Sequence, residues 1–590
     1  MTRQPAQIDL RAEAFETIAA ETANHLPRET GGILLGYREN STIVATHALV
    51  VQGHGATTNK YVRDDVLANA VLAEFLAQRA DDDPTGYIGE WHSHPSPTGP
   101  SLIDRDAMRA TAKTSTGPIA LLVYAPSGPG EVFGLVAHRQ RFGRATTKEA
   151  TVLLPHPRFE PLGPLPSSAV RTDGPVFISY RQSDGTPQAE VLENLLRAAG
   201  IVVWRDHTDL RPGTTTERLE QALTEGLSAG VLVVTPDISY SDIVRERELP
   251  RLLELDADRR FSLCIANAVA RSASNSRCDY DAPDRLLRLA PQRTLADKKQ
   301  ANMLDDSGEV EIVRDLLMHR IEQRKPEIRA EERDFTIRIQ SRPAPFALDA
   351  DSDDLHIRLK PSDHGRLPSR SGLKLLRRTL PLTSDAVYAA GAKRVRLSGG
   401  AHLSIGLALG TALPETKIGE VVVIDTKENA WKSDTPDDDP QSSQLTAEDV
   451  RIKQEQVSGP TSRVAVFVTL TPEPDRTAFE KLLNEAAITF AAAVMVSVTG
   501  SARLDPREAG RLSEGVANQI KKLSACHGRA EVHLAFHGPF TMAVLVGRYL
   551  NTLRTVVYEW DGDPDEGPRY RPVVVLEPGV TNGPITDVLA

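Results

Sequence analysis

The sequence predicts an α/β multidomain protein. At 590 residues the chain exceeds what one hydrophobic core supports and should divide into about three or four domains. Between Val176 and Pro236 short apolar strands alternate with helical segments, the order of a parallel sheet with helices on both faces. In the last third the succession strand, small-residue turn, apolar helix occurs twice.

The first 150 residues carry a dispersed set of polar side chains: Glu29 in ETGGILLG, then His92, His94, Ser101 and Asp104 in WHSHPSPTGPSLID. Residues two apart in a strand face the same way, so His92 and His94 can present both imidazoles to one metal ion, with Asp104 as third ligand. Three protein ligands leave the fourth tetrahedral position to water, the mark of a catalytic zinc. Glu29 is the candidate base, because the two glycines after it let the chain pass close to a site, and Ser101 could donate to a developing oxyanion. SLID reads equally as a helix capping box, with Ser101 as N-cap and Asp104 at N3. The full pattern, Glu29 followed by HxHPx5SxxD, resembles the JAB/MPN (JAMM) zinc metallopeptidases, which cleave isopeptide bonds to ubiquitin-like modifiers. The resemblance covers residues 1–152 and implies His92, His94 and Asp104 as Zn2+ ligands, Glu29 as acid/base and Ser101 as oxyanion donor.

Composition bounds the remainder. Charged residues are 25% and hydrophobic residues 40%, a globular balance, and the net charge of -11 gives no general DNA or RNA affinity. The start of the chain lacks the apolar core of a signal peptide, and no run approaches the roughly 18 apolar residues of a membrane span, so a cytoplasmic location is expected. Cys264, Cys278 and Cys526 are too few and too scattered for a disulfide framework or a cysteine zinc site. A Pro-rich stretch, residues 153–173, reads as a semi-stiff linker and an exposed cleavage site. A charged boundary is expected over Arg324–Asp334, and KSDTPDDDPQSSQLTAED (432–449) as a loop.

The second domain, expected over 174–325, opens with VFISYRQSDG, a buried strand whose carboxyl end is polar, where ligands of parallel sheets sit. FISY, the W-x-D before DLRPG and the VLVVTPD strand resemble a TIR domain. That implies a flavodoxin-like parallel sheet, with Ser179, Tyr180, Arg181, Trp204 and Asp206 lining a site for NAD+ and a glutamate beside the ribose. The glutamate is Glu248 or, alternatively, Glu246, in SYSDIVRERELP. If that segment is helical, Glu248 shares an arc with Val244, Leu252 and Leu255, which turns it into a cleft.

The last domain, expected over 330–590, holds RVRLSGGAHLSIGLALGTAL and EVHLAFHGPFTMAVLVGRYLN, each a strand feeding a helix whose amino end can bind phosphate. The pair resembles the SAVED domain, the cyclic-oligonucleotide sensor of CBASS anti-phage systems, and implies two fused Rossmann-like halves. His402, Trp431, His537 and Phe540 are expected near bases and Arg548 near phosphate. Together the resemblances imply an anti-phage effector. A cyclic oligonucleotide would drive head-to-tail assembly into an oligomer or filament and activate TIR NAD+ nucleosidase (NADase) activity, beside a zinc (iso)peptidase acting on a ubiquitin-like conjugate or on the chain itself. The alternative is a signalling scaffold in which the peptidase is the sole enzyme.

Overall fold

The computed structural model describes residues 6–39, 42–53, 57, 61–79, 83–126, 131–140, 144–155, 162–204, 221–224, 226–272, 275–287, 295, 297–342, 353–434, 443–452, 463–471, 476–484, 488–499, 504–563, 565, 567–577, 579–580 and 583–589. The chain divides into two compact units, Met1–Glu160 and Pro161–Ala590. Among the described residues no helix is long and apolar enough to cross a membrane.

Among the described residues the first unit is a closed barrel carrying three helices. Its elements are β1 (Ala6–Leu10), α1 (Ala12–His25), β2 (Gly31–Glu39), β3 (Thr42–Val50), α2 (Asp65–Ala77), β4 (Gly86–Ser93), α3 (Leu102–Thr114), β5 (Ile119–Ala125), β6 (Glu131–Arg139) and β7 (Ala145–Leu153), with ring order β1-β3-β2-β4-β5-β6-β7. Strand β5, IALLVYA, is buried along its whole length, as expected of an apolar run inside a sheet. The register between β2 and β4 sets Gly31 opposite His92. That pairing requires glycine: a Cβ on Gly31 would lie 2.6 Å from the Trp91 carbonyl, and one on Gly32 1.8 Å from the Leu49 carbonyl.

The second unit begins with a five-stranded sheet, all parallel, in the order β14-β11-β10-β8-β9. It is built from β8 (Val176–Ser179), α4 (Gln182–Ala198), β9 (Val203–Trp204), β10 (Ala229–Val234), a π turn (Val244–Glu248), α5 (Leu249–Leu255), β11 (Ser262–Asn267), the hairpin β12 (Ala270–Ser272) and β13 (Asn275–Cys278), α6 (Ala282–Leu287), β14 (Lys299–Asn302) and α7 (Asp306–Ala330). Helix α7 runs into the charged stretch expected over Arg324–Asp334 and ends within it, at Ala330. Its inward face buries Arg320, which donates to the carbonyls of Gly174 and Asp173 at 2.8 Å each, and Arg324, which pairs with Asp354 at 3.0 Å. Both ends of the expected linker are also structured. Leu153 ends β7, while Ala169 and Val170 are buried apolar residues whose backbone pairs with Leu227.

Two further sheets follow. The first, β16-β15-β17-β18-β19, comprises β15 (Phe335–Gln340), β16 (Leu355–Arg358), α8 (Arg370–Ala390), β17 (Arg394–Gly400), α9 (Leu403–Ala412), β18 (Glu420–Ile424) and β19 (Ala430–Lys432). Gly391, at φ 69°, ends α8 in the left-handed conformation that favours glycine. The second, β20-β22-β21-β23-β24-β25-β26, comprises β20 (Gln444–Asp449), β21 (Arg463–Thr469), α10 (Thr477–Asn484), β22 (Ala492–Thr499), α11 (Ala509–Cys526), β23 (Glu531–His537), α12 (Phe540–Gly547), β24 (Thr555–Asp563), β25 (Gly567–Leu576) and β26 (Ile585–Val588). Residues 444–449, expected as loop, thus form a strand; 435–442 lie outside the described residues. Helices α9 and α12 cross at close range through glycines. A Cβ on Gly410 would stand 2.0 Å from the Val544 carbonyl, and one on Gly547 2.3 Å from that of Leu407.

One hydrophobic cluster runs from Val176 in β8 to Val588 in β26, so the middle and last segments share a core. The carboxyl end of α4 is bonded across this junction: Thr379 Oγ1 donates to the Ala198 carbonyl at 3.1 Å and His356 N to that of Gly200 at 2.8 Å. Cys264 and Cys278 are buried and Cys526 is exposed, all three as free thiols.

Candidate functional sites

The end of β4 and the start of α3 converge on one point in the first unit. His92, His94 and Asp104 each offer a ligand atom, and these atoms lie within 4.8 Å of one another. The two Nε2 atoms are 3.1 Å apart, and His92 Nε2 is 3.6 Å from Asp104 Oδ1. His94 Nδ1 stands 2.8 Å from the Thr98 carbonyl, so it is the natural site of the ring proton and Nε2 keeps its lone pair. Burial pushes the His92 imidazole down to about 4, with Asp104 opposing and His94 assisting, which keeps the ring neutral as a metal ligand must be. Asp104 does two jobs. Its Oδ2 accepts from Ser101 N at 2.6 Å while Asp104 N donates to Ser101 Oγ at 3.2 Å, a complete capping box that fixes the carboxylate with Oδ1 toward His92. The two readings of SLID are therefore compatible.

Glu29 lies two residues before β2 and enters this centre because β2 pairs with β4. It is buried, and burial raises its carboxyl pKa, with His94 opposing the shift and Asp104 adding to it; the Tyr61 backbone N–H also holds it. Tyr61 itself stacks near His92, with ring centroids 6.5 Å apart. The donor set of two imidazoles and a carboxylate fits a zinc ion.

In the parallel sheet, Ser179 ends β8 and Tyr180 and Arg181 follow at its carboxyl end, all three buried. Arg181 pairs with Asp184 at 3.3 Å, and Asp184 accepts from Asp237 N at 3.3 Å, which ties this turn to the one after β10. Glu248, 8% exposed, closes the π turn, and its Oε2 accepts from Ser179 Oγ at 2.5 Å. Val244, Leu252 and Leu255 on the same segment are buried, while Glu246 is exposed. Pro250 sits in the first turn of α5, where its missing N–H has no helical partner to lose. Trp204 is half-buried at the end of β9 against the same core; Asp206 lies outside the described residues.

In the last segment, His402, His537 and Phe540 stand at the neighbouring amino ends of α9 and α12, where a Cβ on Gly406 would touch the Phe540 ring at 3.0 Å. His537 is exposed, with Nδ1 3.2 Å from Thr471 Oγ1. His402 is fully buried. Its ring lies 2.8 Å from Ser341 Oγ and 3.3 Å from the Gly365 carbonyl, and burial pushes its pKa down to about 4. Trp431 is a core residue whose indole N–H donates to Asp425 at 3.0 Å. Arg548 lies past the carboxyl end of α12, 1% exposed, and donates to the Ile418 and Gly419 carbonyls at 2.8 and 2.9 Å. It therefore sits at the amino end of β18, away from the strand ends where parallel sheets bind ligands, and the five residues do not form one cluster. The amino end of α9, expected to await a phosphate, instead receives a carboxylate: Glu559 accepts from Ser404 N at 2.6 Å and Ser404 Oγ at 2.7 Å.

Sequence reasoning missed the cleft beside it. About 620 Å³ is enclosed by His364, Arg366, Asp561, Asp563 and Arg571, among others. Arg366 pairs with Asp563 at 3.2 Å and Arg571 with Asp561 at 2.7 Å. Arg366 and Asp563 are 197 residues apart, and no local pattern marks either.

Family models match three stretches of the chain: prokaryotic homologs of the JAB domain over residues 11–138, the TIR domain over 176–271, and the SAVED domain, described as a SMODS-associated sensor fused to various effectors, over 375–576. Among solved structures the chain is similar to the Acinetobacter baumannii Cap4 SAVED/CARF-domain containing receptor with the cyclic trinucleotide 3'3'3'-cAAA, at 11% identity over 66% of this chain and 97% of that one, TM-score 0.33. The same receptor with 2'3'3'-cAAA matches at 12% identity over 66% and 96%, TM-score 0.33. Protein DSY2949 from Desulfitobacterium hafniense matches at 16% identity over 25% of this chain and 94% of that one, TM-score 0.21. No curated protein matches the chain. The polypeptide thus carries, in order, a prokaryotic JAB domain, a TIR domain and a SAVED sensor domain.

Proposed function

We propose that this chain is an anti-phage effector of the CBASS kind, in which a cyclic oligonucleotide bound by the SAVED domain drives self-association and turns on NAD+ hydrolysis by the TIR domain. The observation that carries the reading is Glu248, a buried carboxylate hydrogen-bonded at the carboxyl end of β8, in a domain that shares one core with the sensor. In the reaction the bond between ribose C1′ and the nicotinamide nitrogen breaks. The electron pair leaves with nicotinamide, and water adds to C1′ and gives up a proton. Glu248 orients the ribose hydroxyls and stabilises the positive charge that develops on the sugar. The cleft of about 620 Å³ supports the sensor role, since Arg366 and Arg571 suit phosphates and the carboxylates suit base amino groups. Nicotinamide release from NAD+ by the full chain, with and without a panel of cyclic trinucleotides, tests this. Release with one of them supports it, and no release with any removes it.

The JAB domain adds a zinc-dependent (iso)peptidase. Zinc held by His92, His94 and Asp104 would supply Lewis acidity to the scissile carbonyl and to water. Glu29, with its raised pKa, is suited to move the proton from water to the leaving amine. Ser101 accepts from Asp104 N, so its own O–H remains to donate to the developing oxyanion. The substrate is a ubiquitin-like conjugate or the chain itself.

The scaffold reading, in which the peptidase at His92, His94 and Asp104 is the sole enzyme, differs in its outcome with NAD+. Wild type that releases no nicotinamide with any cyclic trinucleotide, while showing a zinc-dependent cleavage that Asp104→Ala abolishes, would favour it.

A further inference from the structure

Two buried polar groups from distant parts of the TIR domain meet where the strand ends. Alternation along β8 sends Val176 and Ile178 into the core shared with the SAVED domain and Phe177 into the opposite one. Ser179 therefore points to the same face as Phe177, the face that also receives Val244, Leu249, Leu252 and Leu255 from the π turn and α5. Glu248 lies within that anchored segment, and Ser179, 1% exposed, donates its hydroxyl hydrogen to Glu248 Oε2 at 2.5 Å. A serine has one hydrogen to donate. Used here, it is not available to a ligand.

We infer that Ser179 is a positioning residue for Glu248 and not itself a contact for NAD+. By tethering Oε2 it fixes the direction in which the carboxylate faces, and a hydrogen bond donated to a carboxylate favours the ionised form. The π turn contributes to the same end, since such single turns break helical register locally and occur often at functional sites. The inference rests on the NADase reading and adds the residue that orients its catalytic group.

The test uses the full chain with NAD+ and the activating cyclic trinucleotide, comparing wild type with Ser179→Ala, Ser179→Cys and Ser179→Thr. Loss of one hydrogen bond to a charged group predicts a fall in kcat of about 10- to 100-fold for Ser179→Ala. KM for NAD+ should stay within about threefold, because ground-state contacts are kept. The acid limb of the kcat profile should move to higher pH, since Glu248 loses a donor that favours its charged form. Ser179→Thr, which keeps the hydroxyl, should restore the limb, and Ser179→Cys, close in volume to serine with a weaker donor, should fall between. A rise in KM with kcat and the limb unmoved would make Ser179 a ligand contact and overturn the inference. If wild type releases no nicotinamide with any cyclic trinucleotide, the NADase reading fails separately. The tether is then judged by titrating the Glu248 carboxyl carbon by NMR: a higher pKa in Ser179→Ala upholds it, and identical titrations overturn it.

Discussion

Removal of the Asp354 carboxylate should loosen the joint at which α7, β15 and β16 meet. Asp354 is fully buried. It accepts from Arg333 at 2.8 and 2.9 Å and from Thr336 N at 2.9 Å, and Arg324 Nε lies 3.0 Å away. Deleting one partner of a buried ion pair costs about 3–5 kcal/mol, because the charge left behind has no compensation. Arg333 has a second carboxylate, Glu327, at 3.5 Å, so the stranded charge is mainly Arg324, whose side chain is 9% exposed. The Thr336 amide also loses its acceptor, a loss that belongs within the same range. Asp354→Ala should therefore destabilise the second unit by about 3–5 kcal/mol, and Asp354→Asn, which keeps acceptor capacity, by about half as much. With a urea m-value of about 3 kcal/mol/M, the midpoint for Asp354→Ala should drop by about 1 M or more. Urea unfolding followed by tryptophan fluorescence reads this directly, and a drop under about 0.3 M would refute the reasoning. Acid offers a second readout. Burial pushes the Asp354 carboxyl up, but the Arg333 hydrogen bonds and the Arg324 charge reverse this and hold it below its ordinary value. A depressed folded pKa contributes stability that is fully present above the unfolded value of about 3.9 and is lost as pH falls through the folded one. That acid loss should be absent in Asp354→Asn.

Three other substitutions follow from single contacts. Gly410→Ala places a Cβ against the Val544 carbonyl at the α9–α12 crossing and should destabilise by about 1–3 kcal/mol, seen as a lower melting temperature; an unchanged melting curve would mean the helices separate freely. Glu248→Gln should lower nicotinamide release by at least about 100-fold, whereas Glu246→Gln, at an exposed position, should leave it within about twofold. Equal losses in both would contradict the register. Ser101→Ala removes the hydroxyl that caps α3 and should cost about 1 kcal/mol in calorimetric unfolding, with no measurable change counting against the capping box.

What was legible in the sequence tracks how local the determining physics is. His92 and His94 were readable because strand alternation is a property of adjacent residues, and Glu29 because two glycines marked a close approach. The arc linking Val244, Glu248, Leu252 and Leu255 was likewise readable, although the π turn that carries it was not, since a local change of helical register leaves no residue pattern of its own. The contacts of the last segment were the least legible. Glu559 caps α9 from 155 residues away, and Arg548 finds the Ile418 and Gly419 carbonyls about 130 residues back. Arg366 meets Asp563 only because two sheets come together. None of these pairs leaves a periodic trace. The helix over Asp306–Ala330 runs into the expected boundary for the same reason: Arg324, which read as part of a charged linker, pairs with the buried Asp354 on another element.

The peptidase part of the account depends on three side chains sharing one metal ion. Metal content of the purified full chain after zinc loading and dialysis, by inductively coupled plasma mass spectrometry, measures that directly. About one zinc per chain is predicted for wild type, with loss in Asp104→Ala and His94→Ala. Wild type without stoichiometric zinc, or zinc retained in both variants, would contradict it.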